Sequence, residues 1–259
     1  MKLSIVTINL NNADGLEKTI KSVLSQTFSD YEYLVIDGGS TDKSCDVIQQ
    51  YANQINYWES KPDNGIYHAM NKGILKAKGD YCLFLNSGDI LCSKTILNDV
   101  FEQNFTEDIV YGNLTFDSQG NLAQMDYPDV LQFSFLYKNS LPHPSMFIKK
   151  ELFEHLGLYN ESYRIISDWT FYMLAICKHN CSYRHIKDVV SVFNMDGISS
   201  TLIDVVNDER NHFLEENFPI FCQDAAELHL SRRQLRKVKK NIIYKVVALI
   251  RRLLGKNIL

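Results

Sequence analysis

Gly79-Asp80-Tyr81-Cys82-Leu83-Phe84-Leu85-Asn86-Ser87-Gly88-Asp89 sets the fold of this chain. Tyr81 to Leu85 is a compact apolar and aromatic run, the length of a strand buried on both faces. It breaks at once into Asn86-Ser87-Gly88-Asp89. The carboxyl end of a buried strand is where open α/β sheets bind ligands. Asp89 offers a hard oxygen donor, and Gly88 lets the backbone approach a phosphate or a metal. The same four residue types are also the commonest turn formers, so by itself the stretch reads first as a turn. Its neighbours along the chain decide.

Upstream, Lys2 to Ile8 is rich in Ile and Val, a first strand that ends in the polar loop Thr7-Ile8-Asn9-Leu10-Asn11-Asn12. Asp14 as N-cap, with Leu16, Ile20, Val23 and Leu24 at helical spacing, predicts a helix to about Gln26. Tyr31 to Ile36 is a second strand running into Asp37-Gly38-Gly39-Ser40-Thr41-Asp42, where Ser40 or Thr41 caps a helix over 42–52. A short third strand over 55–59, the turn Pro62-Asp63-Asn64-Gly65 and a helix over 66–77 lead into Tyr81. Strands alternating with helices in this way specify a doubly wound, mostly parallel sheet. No Gly-x-Gly-x-x-Gly follows the first strand and no Gly-x-x-x-x-Gly-Lys-Ser/Thr loop occurs, so dinucleotide-binding and P-loop folds lack their fingerprints. Downstream the pattern predicts a helix near 93–103, strand pieces over 109–112 and 113–116 and a turn over 118–121. An aromatic, proline-bearing excursion over 126–145 precedes a strand over 145–148 and a helix over 150–156. Asp168 opens a helix through Lys178, strands follow near 182–186 and 189–194, and the chain is helical from 201.

The net charge of −4 hides an asymmetry: from residue 228 onward there are ten Lys/Arg and no Asp or Glu, leaving 17 basic against 31 acidic residues before it. An acidic body argues against nucleic acid as its partner. The six cysteines include no Cys-x-x-Cys; Cys82 and Cys177 read as small core residues, and Cys177, Cys181, His179 and His185 match no usual zinc spacing. The amino terminus enters a strand directly, without a signal-peptide apolar region, and no run of eighteen apolar residues occurs. A cytoplasmic protein is the expectation.

Asp37 and Asp89 follow parallel strands and so project from the same sheet edge, where they can converge on one ligand. A carboxylate beside a diphosphate repels it unless a divalent cation lies between. Asn86, Asp89 and diphosphate oxygens make an oxygen-only set suited to Mg²⁺ or Mn²⁺, a Lewis acid for a departing diphosphate. Asp168 then reads equally as general base on an acceptor hydroxyl or as a first-turn carboxylate serving the helix dipole.

The segments Val35–Asp42, Asp63–Tyr67 with Ala69–Ile74, and Gly79–Asp89, followed by Leu141–Phe147 and Ile166–Trp169, resemble the family 2 glycosyltransferases in the family's own order over about residues 1–200. The resemblance implies an inverting, nucleotide-sugar-dependent enzyme of GT-A architecture. It implies that Thr7, Asn9 and Asp37 hold base and ribose, that Asp63 and Asn71 line that pocket, and that Asn86, Ser87 and Gly88 meet the donor. Asp89 matches the last acid of the family's metal-binding Asp-x-Asp motif, whose first acid is here Asn86, leaving one carboxylate for the metal. Asp168 matches the catalytic base, and His143 stands in a motif near the acceptor side, or is a loop histidine packed between two prolines. Trp169, with Phe133, Phe135 and Tyr137, is read as a sugar-stacking surface or as core and lid packing.

The expected organisation is a GT-A domain over 1–220 and an amphipathic, basic helical tail over 221–259. Ile242-Ile243, Val246-Val247, Leu249-Ile250 and Leu253-Leu254 recur every three to four residues with Lys245, Arg251 and Arg252 between them, suiting an anionic membrane surface, or packing on the body or a second subunit. The function expected is transfer of a sugar from a nucleoside diphosphate, UDP first, to a hydroxyl of a glycan or lipid-linked acceptor in surface polysaccharide synthesis, peripheral to the inner face of the membrane. The rivals are a sugar nucleotidyltransferase and a non-catalytic glycan- or nucleotide-sugar-binding module.

Overall fold

The computed structural model describes residues 1–195, 201–240 and 246. Strands β1 (Leu3–Asn9), β2 (Tyr31–Asp37), β3 (Tyr57–Ser60) and β4 (Tyr81–Asn86) lie side by side in the order β3-β2-β1-β4, all parallel. Every residue of β1 is buried, as expected of a central parallel strand covered on both faces. Helices α1 (Ala13–Leu24), α2 (Ser44–Tyr51) and α3 (Ile66–Lys76) supply the crossovers. Leu16, Ile20 and Val23 of α1 join Leu3, Ile5, Leu83 and Leu85 in one core. On α3, a Cβ added at Gly73 would lie 2.4 Å from Val6 Cγ1, so glycine here lets helix and strand touch.

Register places the ligand-bearing ends together: Asn9 pairs with Asp37, Ile8 with Asn86, and Asp37 with Ser60. Beyond β4 the sheet turns mixed. β8 (Met146–Lys149) runs antiparallel to β4 and to β6 (Ile109–Ser118), β9 (Tyr183–Asn194) runs parallel to β6, and β5 (Ile90–Leu91) closes the edge on β9.

Several local expectations are corrected. Asn12, not Asp14, caps α1, its side chain accepting from the N–H of Gly15 at 3.1 Å. Neither Ser40 nor Thr41 caps α2; Asp42 accepts from Ser44 N–H at 2.9 Å, because Ser40 is turned onto Asp37. The two strand pieces expected over 109–116 are one ten-residue strand, which forms a hairpin with β7 (Asn121–Met125), and the pair expected over 182–194 is also one strand. Register shifts between Tyr111 and Leu114 absorb the irregularity that split both patterns. The helix near 93–103 is the shorter α4 (Ile96–Phe101). Cys177 ends α7 (Ser167–Cys177) on the surface and is no core residue.

The chain divides into two compact units, Met1–Leu131 with Ser140–Arg210, and Gln132–Asn139 with the residues from Asn211 onward. The second holds α5 (Phe133–Leu136), the end of α8 (Ile203–Asn217) and α9 (Pro219–Lys240). Its aromatic cluster joins Phe133 to Phe218 and Phe221, each at 5.4 Å between centroids. From Glu227 to Lys240 every residue of α9 is exposed. The apolar stripe expected from Ile242 onward lies, except for the exposed Val246, outside the described residues. Among the described residues no helix is long and apolar enough to cross a membrane.

Candidate active site

A cleft of about 700 Å³ opens at the carboxyl edge of β1 and β4, entirely within the first unit. Asn9, Asp63, Asn86, Ser87, Asp89, His143 and Asp168 all line it. Segments scattered over 160 residues of sequence thus meet where a doubly wound sheet binds its ligand.

The floor is the 86–89 turn. Asp89 N–H donates to the Asn86 carbonyl at 2.9 Å, and Asn86 N–H donates to Asp89 Oδ2 at 3.1 Å. Gly88 sits at φ 107°, and a Cβ there would lie 2.8 Å from the side-chain nitrogen of Asn194. Thr19 of α1 pins the turn from beneath: its hydroxyl donates to the Asp89 carbonyl at 2.7 Å and accepts from Gly88 N–H at 2.9 Å. Asp89 Oδ1 accepts from the backbone N–H of Asn194 at 3.0 Å. The carboxylate is only 2% exposed, and burial pushes its pKa up to about 7 against those two backbone bonds. Beside it, Asn86 Oδ1 is buried with no hydrogen-bond partner. A buried carboxylate and an orphaned amide oxygen are hard donors that fit Mg²⁺ or Mn²⁺. Among the described residues no group of three or more His, Cys, Asp or Glu could hold a metal ion. Other oxygens must complete any such shell.

Asp37 does not line the cleft. It is fully buried, and its two oxygens collect five donors: Asn9 Nδ2 (2.7 Å), Ser40 Oγ (2.6 Å), Ser60 Oγ (2.6 Å) and the N–H groups of Gly39 (3.2 Å) and Ser40 (2.9 Å). Burial alone would raise its pKa; the bonds from Ser40, Ser60 and Asn9 outweigh that and hold it below the ordinary value. This network presents Asn9 to the cleft with its Oδ1 unpaired. Asp63 also lines the cleft, close to Gly38, its Oδ1 accepting from Gly65 N–H at 2.9 Å.

The structure also places Thr7, Asn71, Gly88 and Trp169 behind the wall rather than on it. Thr7 is fully buried and accepts from Tyr33 Oη at 3.0 Å. Asn71 faces inward from α3 and fastens the 159–161 segment through Tyr159 N–H, Tyr159 carbonyl and Glu161 Oε1 at 3.0, 2.9 and 2.8 Å. Trp169 is 1% exposed, with the Arg210 guanidinium 4.7 Å above its ring, so no sugar face can reach it. Cys181, His179 and His185 share no metal-like cluster with Cys177; His185 lies between Asp129 at 2.6 Å and Asn113 at 2.9 Å.

Asp168 enters from the first turn of α7. Its Oδ1 accepts from Tyr67 Oη at 2.7 Å. His143 stacks on Phe84 with centroids 5.2 Å apart, and its Nε2 lies 3.1 Å from Tyr159 Oη. Burial holds this imidazole below its ordinary pKa against the opposing charge of Asp168. Glu209 of α8 anchors the loop before α7, its carboxylate accepting from the N–H groups of Arg164 and Ile165 at 2.6 and 3.1 Å. Thr19, Tyr67 and Asn194 were not anticipated. Thr19 had a signal, a polar residue on the apolar face of α1; Asn194 acts through its backbone, which no side-chain pattern reveals.

Comparison with known proteins places the chain in a family and a fold. The family model described as "Glycosyl transferase family 2" matches residues 4–156. A PGL/p-HBAD biosynthesis glycosyltransferase of Mycobacterium tuberculosis is 30% identical over 212 residues, covering 78% of this chain and 80% of that protein. S. aureus TarS 1-349 in complex with UDP superposes with TM-score 0.63 at 20% identity, over 79% of this chain and 63% of that one, so the chain spans less than two thirds of that structure. The mannosyltransferase PcManGT from Pyrobaculum calidifontis, in complex with GDP-Man and Mn2+, gives TM-score 0.58 at 15% identity over 99% of this chain and 88% of that one. The α/β sheet is of the GT-A type, and the chain belongs to glycosyl transferase family 2.

Proposed function

We propose that this glycosyltransferase moves a sugar from a nucleoside diphosphate, with UDP the first candidate, to a hydroxyl of a glycan or lipid-linked acceptor, with inversion. The observation that carries the reading is the meeting, in one cleft, of the 86–89 turn with Asp168, a carboxylate held by one oxygen. Asp168 removes the proton of the acceptor hydroxyl as that oxygen attacks the anomeric carbon opposite the departing diphosphate. Asn9 and Asp63 meet the nucleotide, with Asp37, Thr7 and Asn71 supporting that wall from behind, and Ser87 and Gly88 form the turn beneath the diphosphate. Asp89 and Asn86 would hold Mg²⁺ or Mn²⁺, which when bound supplies Lewis-acid neutralisation of the leaving group. His143, and through it the Tyr159 hydroxyl, borders the acceptor side.

The TarS and PcManGT complexes, which contain UDP in one case and GDP-Man with Mn2+ in the other, support a nucleotide-sugar donor. The exposed Arg232, Arg233, Arg236, Lys237, Lys239 and Lys240 of α9 support attachment to an anionic membrane surface on the cytoplasmic side. An enzyme there meets lipid-linked acceptors of surface polysaccharide synthesis. The Asn at position 86 favours one rival, a binding module without turnover.

Incubation with a panel of UDP- and GDP-sugars, reading nucleoside diphosphate release, separates the two. Asp168→Asn is expected to lower kcat by roughly 10²–10⁴ while UDP affinity stays within a few-fold. Full activity in that variant refutes the base assignment, and no release by the native chain refutes the transferase reading.

A further inference from the structure

Helix α3 carries a phenol with no role in the chemistry described so far. Tyr67 is 4% exposed, and its ring leans on that of Tyr159 with centroids 5.6 Å apart. Its hydroxyl reaches two acceptors, Asp168 Oδ1 at 2.7 Å and the carbonyl oxygen of Ile165. A phenol has one proton to give, so these acceptors compete. A carboxylate makes the stronger, charge-assisted bond, so ionised Asp168 takes the proton's direction. Burial, and then the charge of Asp168, hold the phenol well above its ordinary pKa, which keeps Tyr67 a donor. Asp168 Oδ2 makes no hydrogen bond among the described residues.

We infer that Tyr67 is a positioning residue for the base: it fixes the rotation of the Asp168 carboxylate by holding Oδ1, leaves Oδ2 for the acceptor proton, and turns to the Ile165 carbonyl once Asp168 is protonated. The inference rests on Asp168 being the base. In the step itself the acceptor oxygen bonds to the anomeric carbon and its proton passes to Oδ2. The bond from that carbon to the diphosphate oxygen breaks, its electron pair leaving on the diphosphate. Protonation makes the carboxyl a weaker acceptor, so the Tyr67 proton now favours Ile165. The ground state and the product state thus each have a satisfied hydrogen bond, and the base is held without being neutralised.

The test is a double-mutant cycle on turnover, using the full chain and UDP-glucose, UDP-galactose and UDP-N-acetylglucosamine as donors, with UDP release as readout. Tyr67→Phe should lower kcat by about 10–100-fold with KM for the donor and Kd for UDP changed by less than about threefold. In the Asp168→Asn background the same substitution should cost less than about twofold, because there is no longer a base to position. Equal losses in both backgrounds, or a matching loss of UDP affinity, mean a merely structural tyrosine and overturn the inference. Native kcat in Asp168→Asn, or no release by the native chain, removes the base or transferase reading itself, a separate failure. Thermal melting checks folding. If Tyr67→Phe fails to fold, 3-fluorotyrosine at position 67 keeps the shape and strengthens the donor. A change in kcat at constant KM then supports the role, and an unchanged kcat overturns it.

Discussion

Asp89→Asn removes the ionisable group of the 86–89 turn while keeping its size, and its effect on the metal-free protein can be worked out from burial. In the unfolded chain an Asp titrates near its ordinary value of 3.8, whereas burial in the folded protein raises Asp89 to about 7. Between those values the folded state binds more protons than the unfolded state, so stability is lost as pH rises through that window. Integrated from about pH 5 to about pH 8, the shift amounts to about 3 kcal/mol lost by the native protein. The variant lacks that titration and should not show the loss. The assay is urea denaturation in EDTA at both pH values, comparing the change in each protein rather than absolute stabilities. Excess Mn²⁺ should restore much of the lost stability to the native chain at the higher pH and little to Asp89→Asn, because ligand binding to the folded state adds to its stability. Parallel pH dependences of native and variant in EDTA would refute the claim that a buried, cation-seeking carboxylate sits under the cleft.

Asp37→Ala leaves Asn9, Ser40 and Ser60 without the carboxylate that gathers them; UDP affinity should fall about tenfold, read by calorimetry, and unchanged affinity would free the nucleotide wall from this network. Asn71→Ala cuts two buried bonds to Tyr159 and a part-buried one to Glu161 and should cost about 2–4 kcal/mol in chemical denaturation, whereas a loss below about 0.5 kcal/mol would show the 159–161 segment to be held by other means. The full chain should sediment with anionic vesicles, less so at high salt, while a chain ending at Glu227 stays in the supernatant; equal sedimentation of both would dismiss the basic tail as the anchor.

The parallel half of the sheet was legible because each strand is a short apolar run cut off by turn residues, as Leu85 is by Asn86 and Ile36 by Asp37. The same punctuation located the cleft edge at Asn86, Ser87 and Asp89, which line it, although Asp37 stops its strand and lies enclosed behind. The long β6 and β9 strands read as four fragments because Gly112 and Asn113 interrupt one and Lys187 and Asp188 the other, while their partners lie some seventy residues apart. Periodicity has no means of seeing such a pairing. Within the site, sequence could place Asp37 after β2 but not tell that five donors would enclose it, nor that Trp169 would lie beneath Arg210. Tyr67 was hidden in a helix where an aromatic reads as core; it is core, except for its hydroxyl.

Asp89 gains its second backbone bond from Asn194, 105 residues later, and Tyr67 meets its carboxylate 101 residues later. During synthesis β1 to β4 therefore leave the ribosome long before the groups that complete the 86–89 turn and reach Tyr67. A nascent chain halted near residue 156 holds β1 to β4 and all of the family-matched segment, yet has neither the candidate base nor the lock on Asp89. On the proposed function, unfinished enzyme is expected not to consume donor, because of the order in which its parts are made. Ribosome-bound chains stalled at that point should bind UDP weakly and release none from a UDP-sugar, and turnover by them would overturn this reading.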